Sequence, residues 1–445
     1  MQMFKEFKTV YAGKDLTLKI PESNVVNVVM PHEVPTLSNP EEAMRKLLEK
    51  PIGCEKLVDM VKPGDKVALI TSEYMRMPYT WILGPVVVDM LKKEVGVKDK
   101  NIFLVHATGT HQTEEEQIDN PNTRKVFGPL SDRYRLVMHD CDKREHNVFI
   151  GYTTLGTPVW VNKTVAEADV KIGFGELSPH HAAGHCGGGK IILPGVCNRS
   201  TIGSMHRRVL NQKNEKGHKE WQTGAYGSDE KNEVRRDIED AAALAGLDFK
   251  IDPVTKRPAE GIYGIYAGDP VKEFRESMKL CHKVQGTQIK EKTDICVYLS
   301  GARGNYVTGV FWYAPFFSDQ VTKDDGIVIH VIPGENGWAA PSAHQCFTPK
   351  VMTTSSEEIA RAIAGDREIP ADARDMSCAW QVKKAIEDKR TFMVTQYANK
   401  ELLTDFGIRY VTNSFDEALS KAFEEKGKDA TVTVLYQGAY ALPPS

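Results

Sequence analysis

The sequence predicts an α/β protein, built as two α/β domains with largely parallel sheets and an active-site cleft between them. Three observations predict it. Short β-rich apolar runs alternate with stretches of helical spacing, as in KVALITS (66–72), WILGPVVVDMLKKEVG (81–96) and NIFLVHATG (101–109). A second series of apolar runs follows a charged joint, QIKEKTD: ICVYLSG (295–301), IVIHVIPG (327–334), RTFMVTQY (390–397) and ATVTVLYQG (430–438). The length, 445 residues, suits two or three domains. We therefore divide the chain into 1–290 and 291–445, with the last strand or helix free to return to the N-terminal domain.

Taken in order, residues 5–30 alternate as a β-hairpin does, with a turn at Ala12-Gly13. Asn39-Pro40 opens a helix over EEAMRKLLEK, with proline in its first turn. Residues 66–110 read as strand, helix and strand, the helix ending at Gly96. VWVNKTVAEADVKIGFG (159–175) repeats that pattern and leads into a Gly- and His-rich loop, with a helix beginning near Ile202. Residues 211–236 are so polar that they form either a lid or a solvated connection, and the second fits a charge run better. Around 270–292, an amphipathic helix, DPVKEFRESMKLCHKVQ, is followed by the charged joint.

Composition excludes several classes. The formal net charge is -3 and no basic stripe appears, so nucleic acid is not an expected partner. The eight cysteines are scattered without a CxxC pair, which reads as reduced thiols in a cytoplasmic protein. The charged N-terminal segment lacks an apolar core for a signal peptide, and no apolar run is long enough for a membrane span.

The chemistry concentrates in ELSPHHAAGHCGGGKIILPGVCNRSTIGSMHRR (176–208). Gly184 to Lys190 fits the start of a phosphate-binding loop, but Ile191 stands where such a loop needs Ser or Thr for magnesium, which disfavours an NTPase. Glycines 187–189 beside Lys190 still suit an anion cradle, or else a tight turn. His180, His181, His185 and His206 are candidate metal ligands, with Cys186 nearby, although their spacing matches no zinc signature.

PHHAAGHCGGGKIILPG resembles the central motif of the lactate racemase family, His-x-x-Ala-Gly-x-x-Gly-Gly-x-Lys-x-x-Leu-Pro-Gly. His180 matches its first histidine, Lys190 its lysine and His206 a later histidine. Upstream, HATGTHQ (106–112) is similar to the family's Ala-Thr-Gly-x-His, with His111 at the key position. SEYMRMP (72–78) is similar to Asp-x-Thr-Arg-Pro, with Arg76 matching and Glu73 in place of the aspartate. CAWQVKKAI (378–386) resembles the family's Trp-Gln helix through Trp380.

The resemblance implies a racemase or epimerase that inverts C2 of a 2-hydroxy acid by proton-coupled hydride transfer. The implied cofactor is a nickel-pincer nucleotide, a pyridinium mononucleotide with two sulfur-bearing arms, tethered to Lys190. His206 would ligate nickel, and Gly187, Gly188, Gly189, Thr108 and Gly109 would line the cofactor. His111 and His180 would be the two bases, one for each face of the substrate, a role suited to imidazole near neutral pH. Arg76 would clamp the carboxylate, with Glu73 and Trp380 beside it. Cofactor-biosynthesis enzymes are then implied partners. The family's second-domain lysine and glutamine are absent from GARGNYVTGVFWYAPFFSDQ (301–320), where Arg303 and Asn305 are available instead. That departure favours a substrate more polar than lactate, such as a sugar acid like gluconate or a malate-like diacid. The alternatives are a non-catalytic protein that binds the same nucleotide, and a zinc-dependent hydrolase on the histidine-rich loop.

Overall fold

The computed structural model describes residues 3–210, 232–255, 261–301, 304, 306–307, 314–337, 348–365 and 376–442. Two compact units emerge, Met1–Glu33 with His282–Ser445, and Val34–Cys281. The first 33 residues thus join the C-terminal half, not the 1–290 domain expected from sequence, and the division falls at 281/282. The reason is strand pairing. β1 (Phe4–Tyr11) and β2 (Lys14–Pro21) form the expected hairpin, turning through Ala12 and Gly13 at φ 51° and 71°. β3 (Val25–Val29) then pairs in parallel with a strand from the far end of the chain, Val434 beside Val28. The chain end that crosses over is therefore the first, not the last.

The unit Val34–Cys281 holds a six-stranded sheet. Its strands are β4 (Val67–Ser72), β5 (Ile102–Ala107), β6 (Arg135–Met138), β9 (Val170–Phe174), β12 (Phe249–Thr255) and β13 (Ile262–Gly268). They lie in the order β13-β12-β9-β4-β5-β6, and only β13 runs antiparallel to its neighbour. The expected strand–helix–strand at 66–110 is β4, helix Thr80–Met90 and β5, with Gly96 capping the extended last turn in the left-handed conformation. Val67, Leu69, Ile102, Leu104, Ile172, Phe249 and Ile251 pack on that helix and on helix Pro40–Glu49 in one core. Asn39 caps the latter helix through Glu42 N–H and Pro40 occupies its first turn.

Residues 159–175 depart from expectation. β8 (Pro158–Asn162) pairs antiparallel with β7 (Asn147–Tyr152) in a separate two-stranded sheet, and only β9 enters the main sheet. The intervening helix, Lys163–Ala166, is a single turn, too short for a parallel crossover. Residues 211–231 of the polar stretch lie outside the described residues; its end enters helix Glu233–Ala245, where Asn232, Arg235 and Asp237 are buried.

The other unit centres on a fully parallel six-stranded sheet. β15 (Thr293–Leu299), β16 (Thr322–Val331), β17 (Arg390–Val394), β18 (Tyr410–Thr412) and β19 (Val432–Tyr436) join β3 in the order β18-β17-β16-β15-β19-β3. The expected amphipathic helix forms over Lys272–Gln285 and ends where Gly286 begins a short strand. No helix among the described residues is long and apolar enough to cross a membrane.

Candidate active site

The site is assembled from loops at the carboxyl ends of the parallel strands β4, β5 and β9, the edge where open α/β sheets bind ligands. Glu73 and Arg76 follow β4, Thr108 to His111 follow β5, and His180 to Lys190 follow β9. Backbone bonds stitch two of these loops together. Gly109 N–H donates to Gly195 C=O at 3.0 Å, and Gly195 N–H to Lys190 C=O at 3.2 Å. A side chain at Gly195 would stand 2.1 Å from Ile191 O, so this turn admits glycine only.

Glu73 is the junction. One of its carboxylate oxygens lies 2.5 Å from His111 Nδ1 and 3.4 Å from Arg76 Nε. Burial alone would raise its pKa. The charge and hydrogen bond of His111 outweigh that, with the charges of Arg76 and His106 adding to them, and the carboxyl is held at about 2. A carboxylate accepts only, so His111 donates from Nδ1, and in the neutral ring the lone pair is then on Nε2. Glu73 in place of aspartate therefore orients the imidazole as well as the guanidinium. Arg76 Nη1 also reaches Cys186 Sγ at 3.7 Å, which joins the loop after β4 to the loop after β9.

His180 is buried and stacked on His181, ring centroids 4.3 Å apart. The backbone N–H groups of Ala182 and Ala183 donate to its Nδ1 at 3.1 and 3.2 Å, so the neutral ring carries its hydrogen on Nε2. That nitrogen faces Lys190 Nζ at 3.3 Å. Burial first, then the charges of Lys190, His181, Arg76 and His206, push the His180 pKa well below its usual 6.5. Arg76, Lys190 and His206 thus lie within electrostatic reach of this ring. His206 ends helix Arg199–His206, which Asn198 caps through Thr201 N–H.

The glycines have a packing reason besides the expected cofactor passage. A Cβ on Gly187 would lie 2.7 Å from Asp252 Oδ2, on Gly188 3.1 Å from Pro270 O, and on Gly189 2.8 Å from Ala242 Cβ. Their smallness serves packing inside the domain. Gly188 N–H does meet an anion, but it is the protein's own Asp252 carboxylate, at 2.6 Å. Thr108 is buried, its hydroxyl donating to His139 O at 3.3 Å. Trp380 is buried in helix Met376–Asp388 of the other unit, as a core side chain would be. Arg303 and Asn305 lie outside the described residues.

Two sets of residues were missed. Arg235 is wholly buried and donates to the carbonyls of Ala183, His185 and Gly187. Lys250 and Asp252 form a buried ion pair behind the glycine loop, and buried Glu273 adjoins them, its pKa raised well above the usual carboxyl value by burial first and then by the charge of Asp252. The signal for Arg235 was faint but present: Val234, Ile238, Ala241 and Ala245 mark an apolar helical stripe that Arg235 adjoins. As for zinc, the one set of three or more potential ligands that converges among the described residues is Asp140, Cys141 and Asp142. The histidine-rich loop does not converge in that way, and Asp142 is already paired with Arg199.

The lactate racemase N-terminal domain family matches residues 11–217, and the lactate racemase C-terminal domain family matches 317–442. A lactate racemase of Lactiplantibacillus plantarum is 25% identical over 444 residues, covering 96% of this chain and 97% of its own length. One of Thermoanaerobacterium thermosaccharolyticum is 25% identical over 409 residues, covering 90% of each chain. The lactate racemase apoprotein structure from the latter organism superimposes with a TM-score of 0.79 at 21% identity, over 99% of this chain and 100% of that one. A Thermotoga maritima protein structure matches with a TM-score of 0.63 at 16% identity, over 92% and 100%. With both family domains spanning most of its length, the chain belongs to the lactate racemase family and is an isomerase.

Proposed function

We propose that this protein inverts the hydroxyl-bearing carbon of a 2-hydroxy acid, with His111 and His180 handling the hydroxyl proton and Arg76 anchoring the carboxylate. The observation that carries this reading is the Glu73 junction: one carboxylate oxygen reaches both His111 Nδ1 and Arg76 Nε, and the Arg76 charge in turn acts on His180. Both imidazoles thus lie within electrostatic reach of a single guanidinium that can bind a carboxylate.

The residues fit the nickel-pincer nucleotide. Lys190 Nζ sits 3.3 Å from His180 Nε2, so a group tethered to Lys190 would lie against the His180 ring. Lys190 would hold the group covalently and His206 would ligate its nickel, with Thr108 and Gly109 beside it. When bound, this group supplies a hydride acceptor for the substrate carbon.

The chain's own residues do the rest. Arg76 fixes the substrate carboxylate by a charge-assisted clamp. His111, with Nδ1–H given to Glu73, presents a lone pair on Nε2 to take the hydroxyl proton. His180 rests in the opposite tautomer, a donor at Nε2. For His180 to act as base, its Nδ1 must hold the proton, and the two backbone contacts must give way. The resting site is therefore unsymmetrical, prepared for one direction first.

The substrate is proposed to be more polar than lactate, because the stretch 301–320 lacks the family's lysine and glutamine and offers Arg303 and Asn305 instead. Turnover of a panel containing lactate, malate and gluconate, by protein produced alongside the cofactor-building enzymes, tests this. A clear preference for lactate would remove the polar-substrate proposal, and no inversion of any member would remove the functional one.

A further inference from the structure

We propose that Arg235 and Asp252 are positioning residues for this reaction, gripping the 183–188 loop from opposite electrostatic sides so that Lys190 stays against His180. The proposal rests on the functional reading above and names residues that reading does not use.

The loop needs outside support. It pairs with itself only through the two-residue strands Pro179–His180 and Gly184–His185. Gly184, Gly187 and Gly188 all adopt positive φ, a conformation whose freedom must be paid for in entropy on folding. Arg235 holds the carbonyl side. Its Nε and Nη2 donate to Ala183 O, both at 3.2 Å, its Nη1 to Gly187 O at 3.3 Å, and its Nη2 also to His185 O. The guanidinium lies over the Phe274 ring, 4.1 Å from its centroid, so one flat fork spans carbonyls of three loop residues. Burial lowers its pKa to about 10, partly offset by Glu239, and it remains charged at neutral pH.

Asp252 holds the amide side. Its Oδ2 accepts Gly188 N–H at 2.6 Å while its Oδ1 pairs with buried Lys250. Asn232 adds a bond from its amide to Ala182 O at 3.0 Å. The clamp spans the stretch whose N–H groups fix the His180 ring at one end and whose next turn carries Lys190 at the other. None of Arg235, Asp252 and Lys250 reaches solvent, so their charges serve this loop and not the surface.

The test uses the full chain with Arg235→Met, Arg235→Lys and Asp252→Asn, each first confirmed as folded by circular dichroism and thermal melting. Before cofactor loading, acetic anhydride labelling read by mass spectrometry compares Lys190 with the exposed Lys46 and Lys93. The expected result is that Lys190 reactivity changes by about threefold or more in all three variants while Lys46 and Lys93 do not change. In the loaded enzyme kcat falls about tenfold to a hundredfold with KM little moved, the scale on which a displacement of about 1 Å acts. Arg235→Lys fails to rescue, because an ammonium lacks the fork that spans three carbonyls. Should Arg235→Met not fold, the nearly isosteric Asp252→Asn takes its place. Folded variants with wild-type Lys190 reactivity would overturn the proposal. An inert wild-type enzyme with altered Lys190 labelling in the variants would instead count against the functional reading alone.

Discussion

Replacing Glu73 with glutamine removes one charge and keeps the shape, so it isolates what the carboxylate does. Holding the Glu73 carboxyl at about 2, against its usual 4.5, favours the charged form by about 3 kcal/mol. The neutral amide mimics the protonated carboxyl, so Glu73→Gln should lose stability of that order at pH 7. The sign follows from the depressed pKa. Glu73 contributes fully above about pH 4.5, and its contribution is lost as pH falls towards 2. The wild-type advantage in urea unfolding should therefore be greatest near pH 7 and narrow below about pH 4.5. In catalysis, His111 loses the acceptor that fixes its tautomer and Arg76 loses its orienting partner. The expected loss in kcat is about a hundredfold, the scale of general acid–base catalysis. A stability difference that stays constant from pH 7 to pH 3.5, or unchanged kcat, would refute the reasoning.

Arg76→Lys should raise KM for the hydroxy acid about tenfold or more, since an ammonium cannot form the bidentate clamp; steady-state kinetics with the wild-type KM retained would contradict this. Lys190→Ala, produced beside the cofactor-building enzymes, should show an unmodified intact mass where wild type carries a covalent adduct. Nitrogen-15 NMR of the unloaded protein should find Nδ1 of His180 without hydrogen and Nδ1 of His111 with it; the same tautomer at both would disagree with the bonding described. Gly195→Ala should cost several kcal/mol in urea unfolding, because its methyl would lie 2.1 Å from Ile191 O.

Much of the site was legible because the motifs fall where strands end. Glu73, His111 and His180 each follow a strand that the apolar runs mark, and those strands prove to be parallel neighbours or next neighbours. The first hairpin and helix were legible for the same local reasons, a glycine turn and an Asn-Pro cap. What sequence hid was long-range. Nothing local says that Val25–Val29 pairs with Val432–Tyr436, and so this strand and the hairpin before it were given to the wrong unit. A single helical turn at Lys163–Ala166 looked like a crossover because its flanks were apolar. Arg235 looked like wet surface in a run of charges, yet its partners are carbonyls brought to it by another loop. Gly187 to Gly189 looked like a cradle for a ligand, whereas the atoms that forbid a side chain there belong to Asp252, Pro270 and Ala242.

The most direct test gives the loaded enzyme a single C2 stereoisomer of its preferred hydroxy acid and follows the other by chiral chromatography, for wild type, His111→Ala and His180→Ala. If both imidazoles handle the proton, wild type reaches the equilibrium mixture of the two C2 configurations and each substitution slows inversion by about a hundredfold or more in both directions. Inversion at the wild-type rate by either variant would contradict the account.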